Sequence, residues 1–190
     1  MLLPISLKMA LALGCDEPTA RAALKSFGGV ERRLQRVAPD VAVYDDYAHN
    51  PEKIQAMWTT LAEAHPGGIC VVWRPHGYAP LRKMLDALAE MFAQTVRPQD
   101  RLLLLPVYDA GGTADRSINS DALAAKLPPE RAVLMRTADE ALAWISAHAS
   151  GYAAFATAGA RDPGLPRLAE QIAGAIRARC GRADVTQARE

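Results

Sequence analysis

Four short polar clusters hold most of the residues able to do chemistry in this 190-residue chain. They are Asp45-Asp46-Tyr47-Ala48-His49-Asn50, Arg74-Pro75-His76-Gly77-Tyr78, Tyr108-Asp109-Ala110-Gly111-Gly112 and Ala158-Gly159-Ala160-Arg161-Asp162. An aspartate at a strand end can accept hydrogen bonds from ribose hydroxyls or hold Mg²⁺ through water. Asp45 or Asp46 can equally cap the helix that Pro51 opens. His49 and His76 each suit a general base, a charged ligand contact or a hydrogen-bonded structural residue. Arg32, Arg33, Arg82 and Arg161 suit forked contacts to carboxylate or phosphate, or plain solvated cations. A small hydrolase built on His49 or His76 and an aspartate lacks a nucleophile, because no Ser or Cys stands in an elbow pattern.

These clusters need elements to position them, and the flanking sequence supplies an alternation. Residues 5–13 read as a helix closed by Gly14. Asp16 then caps a second helix through Glu17-Pro18 that runs to about residue 25. Strands are expected at Val41–Tyr44, Ile69–Trp73, Arg101–Val107, Ala132–Leu134 and Tyr152–Thr157. Helices are expected at Pro51–Ala64, Pro80–Gln94, Ser120–Leu127, Ala138–Ala149 and Pro166–Arg179. In the Pro80–Gln94 helix Leu81, Met84, Leu85, Leu88, Met91 and Phe92 share one face. Strands separated by helices predict an α/β fold, a doubly wound, mostly parallel sheet of about six strands with helices on both faces. Ligands of such sheets bind beyond the carboxyl ends of the strands. The four polar clusters follow four of the strands, so they should meet at one crevice. The tail from Gly181 is polar, and 181–190 is expected to be flexible.

Composition narrows the function. Half the residues are hydrophobic and 23% are charged, a globular balance. Lys plus Arg number 22 against 21 Asp plus Glu, a net charge of +1, which disfavours a nucleic-acid partner. No apolar run approaches the roughly 20 residues of a membrane span. The N-terminal run has the flavour of a signal peptide, but Pro4 and Lys8 interrupt it, so a cytoplasmic helix is the expectation. Cys15, Cys70 and Cys180 are far apart and read as reduced thiols, and no metal site is expected. There is no G-x-x-x-x-G-K-S/T and no G-x-G-x-x-G after the first strand.

Taken in order, the clusters resemble the motifs of the Mur ligases, the ATP-dependent amide ligases of peptidoglycan precursor synthesis. Phe27-Gly28-Gly29-Val30-Glu31-Arg32-Arg33-Leu34 is similar to F-x-G-V-x-R-R-F, the segment joining that family's central and C-terminal domains. Asp45-Asp46-Tyr47-Ala48-His49-Asn50-Pro51 is similar to D-D-Y-A-H-H-P. Arg74-Pro75-His76-Gly77-Tyr78 and Val107-Tyr108-Asp109-Ala110-Gly111-Gly112 resemble Q-P-H-R-Y and V-Y-P-A-G-E, in the form typical of the L-alanine-adding branch. Ala158-Gly159-Ala160-Arg161-Asp162 stands where that branch has G-A-G-D/N.

The resemblance implies a Rossmann-like C-terminal domain over 30–180. Residues 1–29 would be a helical remnant of a central ATP-binding domain plus the hinge. The chain would be a piece of a longer ligase or a naturally short relative. By the same resemblance Arg33 and Asp46 would contact the nucleotide, and His49 would be catalytic, near the incoming amine and the acyl phosphate. His76, Tyr78, Arg82, Tyr108 and Asp162 would line the substrate side. ATP and Mg²⁺ would be held mainly by the central domain. The partners implied are a UDP-muramyl substrate and an amino-acid or peptide amine, with a homodimer possible through the apolar helix near Leu3–Leu13. With no P-loop in this sequence, activity is not expected of the chain alone. Two of the third motif's three arginines are replaced, by Gly77 and Pro80. Asn50 replaces the second His, Gly112 the Glu, and Arg161 is an insertion. These departures imply a ligase that accepts another amine, or a non-catalytic nucleotide- or peptide-binding module derived from one.

Overall fold

In a computed structural model, the backbone is described for residues 2–187 and the side chains for 5–179. The chain divides into two compact units, 1–31 and 32–190.

The first unit is a helical hairpin of α1 (Leu2–Ala12) and α2 (Glu17–Ser26). Gly14 ends α1 at a φ of +85°, a left-handed conformation that costs glycine little. The amides of Gly14 and Cys15 donate back to the carbonyls of Leu11 and Ala10, the double bond of a Schellman ending. Asp16 caps α2 by accepting from the Thr19 amide at 2.9 Å. Ile5, Met9, Leu11 and Leu13 remain exposed, as do Phe27 and Val30 beyond α2.

The second unit is a six-stranded sheet in the order β1-β2-β6-β3-β4-β5. Its strands are β1 (Gln35–Arg36), β2 (Val43–Asp46), β3 (Ile69–Trp73), β4 (Arg101–Leu104), β5 (Ala132–Leu134) and β6 (Ala154–Ala158). All neighbours pair in parallel except β1, which is antiparallel to β2. The helices are α3 (Pro51–Ala64), α4 (Tyr78–Thr95), α5 (Ser120–Ala124), α6 (Ala138–His148) and α7 (Gly164–Gln187).

The sheet buries both faces, as a parallel sheet must. Ile69, Val71, Trp73, Leu102 and Leu104 face one core with Trp58, Leu81 and Phe92 from α3 and α4. Their neighbours Cys70, Val72, Leu103 and Leu105 face the other, with Ile145, Leu168 and Ile172 from α6 and α7. This alternation is the period of two expected of strand side chains. Burial pushes the Cys70 thiol far above its ordinary range, so it stays protonated and unreactive. Asp100 is fully buried before β4 and accepts from Trp58 Nε1, the Ile69 amide and the Arg97 guanidinium. That set ties α3 and β3 to the start of β4.

The α/β class and mostly parallel sheet agree with the sequence. Several boundaries moved. β2 begins at Val43 and runs through Asp46, β4 stops at Leu104, and β6 spans Ala154–Ala158. α4 starts at Tyr78 and α5 ends at Ala124. α7 continues to Gln187, so backbone of the expected tail is helical there, while its side chains and that of Cys180 lie outside the described residues. β1 was not anticipated: Gln35 and Arg36 are too short a run to show periodicity. No described helix is long and apolar enough to cross a membrane.

Candidate functional site

All the polar clusters reach one edge of the sheet. β2, β3, β4 and β6 are parallel, so the residues following them emerge on the same side. β1 runs the other way and pairs Gln35 with Asp45, which returns residues 32–34 to that same edge.

The two aspartates that end β2 are buried, at 1% exposure for Asp45 and 7% for Asp46. Neither caps α3; Asn50 does, accepting from the Lys53 amide at 3.0 Å. Asp45 accepts from Arg32 Nε at 2.8 Å and from the Thr157 hydroxyl at 2.6 Å. The Arg32 guanidinium also donates to the Gly159 carbonyl at 2.7 Å, tying 32–34 to the loop after β6. Asp46 accepts from the Leu34 amide at 2.6 Å and the Ala48 amide at 2.7 Å, one on each oxygen. Burial raises the Asp46 carboxyl above its ordinary value, against the pull of those two amides and the Arg33 charge.

This clamp holds a strained turn. Arg32 and Leu34 sit at φ of +55° and +46°, where non-glycine residues are uncommon. The turn points Arg32 inward and leaves Arg33 exposed, its guanidinium 5.7 Å from the centre of the Tyr47 ring. Of the arginine pair, Arg33 is therefore the one available to an external anion. Asp46 is bound to the turn itself and positions Arg33.

His49 Nδ1 lies 2.8 Å from the Tyr47 carbonyl. A carbonyl only accepts, so Nδ1 carries the proton and Nε2 holds the lone pair of the neutral ring. The His49 and His76 rings meet edge to face at 4.8 Å. Burial lowers the His76 pKa, and the charges of His49 and Arg161 add to the effect. Arg161 is exposed at a φ of +68° and is thus a second cation beside the histidine pair.

Asp162, expected on the substrate side, is held by two neighbouring groups. It is 5% exposed, pairs with Arg74 Nη1 at 2.5 Å and accepts from the Gly164 amide at 2.8 Å. Its carboxylate anchors the start of α7 to Arg74, the residue that follows β3. Tyr108 is half-buried, and its amide donates to the Pro75 carbonyl at 2.8 Å, joining the loops after β3 and β4. Gly159 allows this convergence: a Cβ there would stand 2.8 Å from the Arg74 carbonyl oxygen.

Tyr78 and Arg82, on the first turns of α4, meet the loop 109–117. The Tyr78 hydroxyl reaches Asp109 at 3.4 Å. Arg82 donates to Ser117 Oγ and pairs with Asp115, each at 2.9 Å. Asp109 in turn is gripped by both arms of Arg116, at 2.7 and 3.0 Å. Sequence reasoning passed over Arg116, whose partner Asp109 is seven residues away, and Thr157, which only a contact 112 residues away marks. Among the described residues no three His, Cys, Asp or Glu side chains come together to hold a metal. A cavity of about 410 Å³ lined by Val41, Tyr152, Phe155 and Arg179 lies at the opposite edge, by the starts of β2 and β6, away from all these groups.

Comparison with known proteins fits this arrangement. Residues 32–161 match the family described as "Mur ligase, glutamate ligase domain". The UDP-N-acetylmuramate–L-alanine ligase of Chelativorans sp. is 35% identical over 124 residues, covering 64% of this chain and 26% of that protein. The ligase of the same name from Koribacter versatilis is 39% identical over 126 residues, covering 63% of this chain and 25% of that protein. The chain thus spans about a quarter of the length of these relatives. Among solved structures, the UDP-N-acetylmuramate-alanine ligase of Thermotoga maritima aligns over 90% of this chain and 36% of its own, with a TM-score of 0.62 at 22% identity. MurF from Acinetobacter baumannii aligns over 86% and 35%, with a TM-score of 0.58 at 18% identity. With its strand-end clusters at one edge and the family match over most of its length, this chain belongs to the Mur ligase family, in the part described as its glutamate ligase domain.

Proposed function

We propose that this chain is the amino-acid-side domain of an ATP-dependent Mur-type amide ligase of peptidoglycan precursor synthesis. The observation that carries the reading is the clustering of Arg33, Arg161 and the His49–His76 pair at one sheet edge, with Arg33 exposed on a clamped turn. An acyl phosphate and an attacking amine need such groups. In this reaction ATP phosphorylates a carboxylate of a UDP-muramyl substrate, the amine attacks the acyl carbon, and phosphate leaves.

The residues then divide the work. Arg33 and Arg161 place positive charge where phosphate oxygens gain negative charge. Asp46 and Asp45 hold the turn that presents Arg33. His49, with its lone pair on Nε2, accepts the proton that the amine sheds. Burial and the Arg161 charge lower the His76 pKa, which favours the neutral ring beside His49. Tyr78 and Arg82 line the side toward the amine's carboxylate. Mg²⁺, where bound, would offset phosphate charge, and its ligands would lie outside this chain.

The test is ATP-dependent phosphate release by this chain mixed with a matching N-terminal and central-domain fragment, across UDP-muramyl acceptors and a panel of amines. Release in the mixture should fall by about 100-fold with Arg33→Ala. Wild-type release from that variant would refute the role given to Arg33. A folded domain that supports no release in any mixture would instead favour a non-catalytic module, the reading that Gly77 and Pro80, in place of two motif arginines, also supports.

A further inference from the structure

At the edge of the sheet opposite Arg33 and His49, the cavity of about 410 Å³ opens beside the starts of β2 and β6. Small-molecule sites typically occupy about 300–1,000 Å³. The residues just before β2, the turn Ala149–Gly151, the start of β6 and α7 build its walls. Val41, Phe155 and Ile176 give it an apolar lining continuous with the core beneath. Tyr152 forms a further wall, its ring 6.1 Å from those of Phe155 and Trp144. The charge around the cavity is one-sided. Arg179 lines it, Arg177 grips Asp40 with both arms at 2.6 Å, Arg36 donates to the Val41 carbonyl at 3.2 Å, and Arg101 donates to the Tyr152 hydroxyl at 3.4 Å. Against these four guanidiniums the lining supplies one carboxylate, Asp40, which Arg177 already neutralises. Arg179 spends Nη1 on the Ser146 carbonyl at 2.7 Å and meets no carboxylate among the described residues. A guanidinium carries five N–H donors, so most of those of Arg179 remain for a ligand.

We infer that this cavity binds a small free carboxylic acid with an aromatic or branched apolar tail, the tail against Val41, Phe155 and Ile176 and the carboxylate at Arg179. Removing such a tail from water onto the apolar lining drives binding. The cationic surround selects an anion over a cation. One uncommitted guanidinium suits one carboxylate, whereas the second charge of a phosphate would be desolvated against the apolar lining. The site stands apart from the cluster of Arg33, Arg161, His49 and His76. It goes beyond the ligase reading and does not depend on it.

The test is direct binding to this chain, read by NMR shift perturbation, with 4-phenylbutyrate as the probe. Its addition should shift the backbone amides of 40–42, 149–155 and 176–179. Of two controls, 4-phenylbutan-1-ol lacks the charge and acetate lacks the tail, and each should bind at least about tenfold more weakly. Arg179→Gln should weaken 4-phenylbutyrate by about tenfold. Ser150→Trp, at an exposed lining position, should fill the mouth and abolish the shifts while leaving the urea unfolding midpoint unchanged. Absence of shifts at those amides, equal binding of the alcohol, or unchanged affinity in either variant would each overturn the inference. The tripeptide Gly-Gly-Phe presents the same ring and carboxylate at a chain end; binding tighter than that of 4-phenylbutyrate would overturn the assignment to a small free acid. The assay uses neither ATP nor a central domain, so its failure leaves the ligase reading standing, and absent phosphate release leaves this site standing.

Discussion

Replacing Asp45 by alanine tests whether the clamp at the sheet edge is energetic or incidental. The substitution removes two bonds, from Arg32 Nε at 2.8 Å and from the Thr157 hydroxyl at 2.6 Å. Thr157 is fully buried, so its hydroxyl loses its acceptor with no water to replace it. Arg32 retains the Gly159 carbonyl, and its side chain is 15% exposed, so part of its charge can be rehydrated. Removing one partner of a buried pair costs about 3–5 kcal/mol, and the residual access of Arg32 places Asp45→Ala near the lower end, at about 3 kcal/mol. Asp45→Asn keeps an acceptor for Thr157 and loses only the charge, so it should cost about 1–2 kcal/mol. The assay is urea unfolding followed by tryptophan fluorescence. Trp58, Trp73 and Trp144 all lie in the unit 32–190, so the signal reports that unit alone. A double-mutant cycle with Arg32→Gln should show a coupling of about 2 kcal/mol. A cost below about 1 kcal/mol for Asp45→Ala, or a coupling near zero, would refute the clamp.

Two further outcomes follow from the same edge. Gly159→Ala should destabilise by about 3 kcal/mol in the same assay, because its φ is +147° and a Cβ would press on the Arg74 carbonyl and on Leu165 Cδ1 at 2.9 Å; a neutral substitution would show that β3 and β6 do not pack as described. The His76 imidazole should titrate below its ordinary value of 6.5 in an NMR pH series, and Arg161→Gln should move it upward. Because its folded pKa is lowered, the contribution of His76 to stability is present above the unfolded value and is lost as pH falls from there through the folded one. Titration at or above 6.5 would contradict the burial that the structure assigns to this ring.

The ordered polar clusters and the alternation of elements were legible in the chain itself. Each cluster follows an apolar run whose period marks a strand, and parallel strands put such clusters on one edge by geometry alone. The Pro51–Ala64 helix and the Ile69–Trp73 strand could be read to the residue, because proline opens one and a continuous apolar run fills the other. Helix capping at Asp16 and Gly14 was equally local. What local signals could not decide was pairing. The last strand, β6, inserts between β2 and β3, and that order brings Thr157 to Asp45 and Gly159 to Arg32. The same is true of which charges are spoken for. Asp162 and Arg161 are neighbours in sequence, yet one is buried against Arg74 and the other is exposed beside His76. Arg32 and Arg33 differ likewise, because a turn with two left-handed residues sends one inward and one outward. Hydrophobic periodicity and capping act over a few residues, so sequence carries them. Ion pairs and strand order join residues more than a hundred positions apart, as Thr157 and Asp45 are; their energy depends on burial, and burial exists only once the chain has packed.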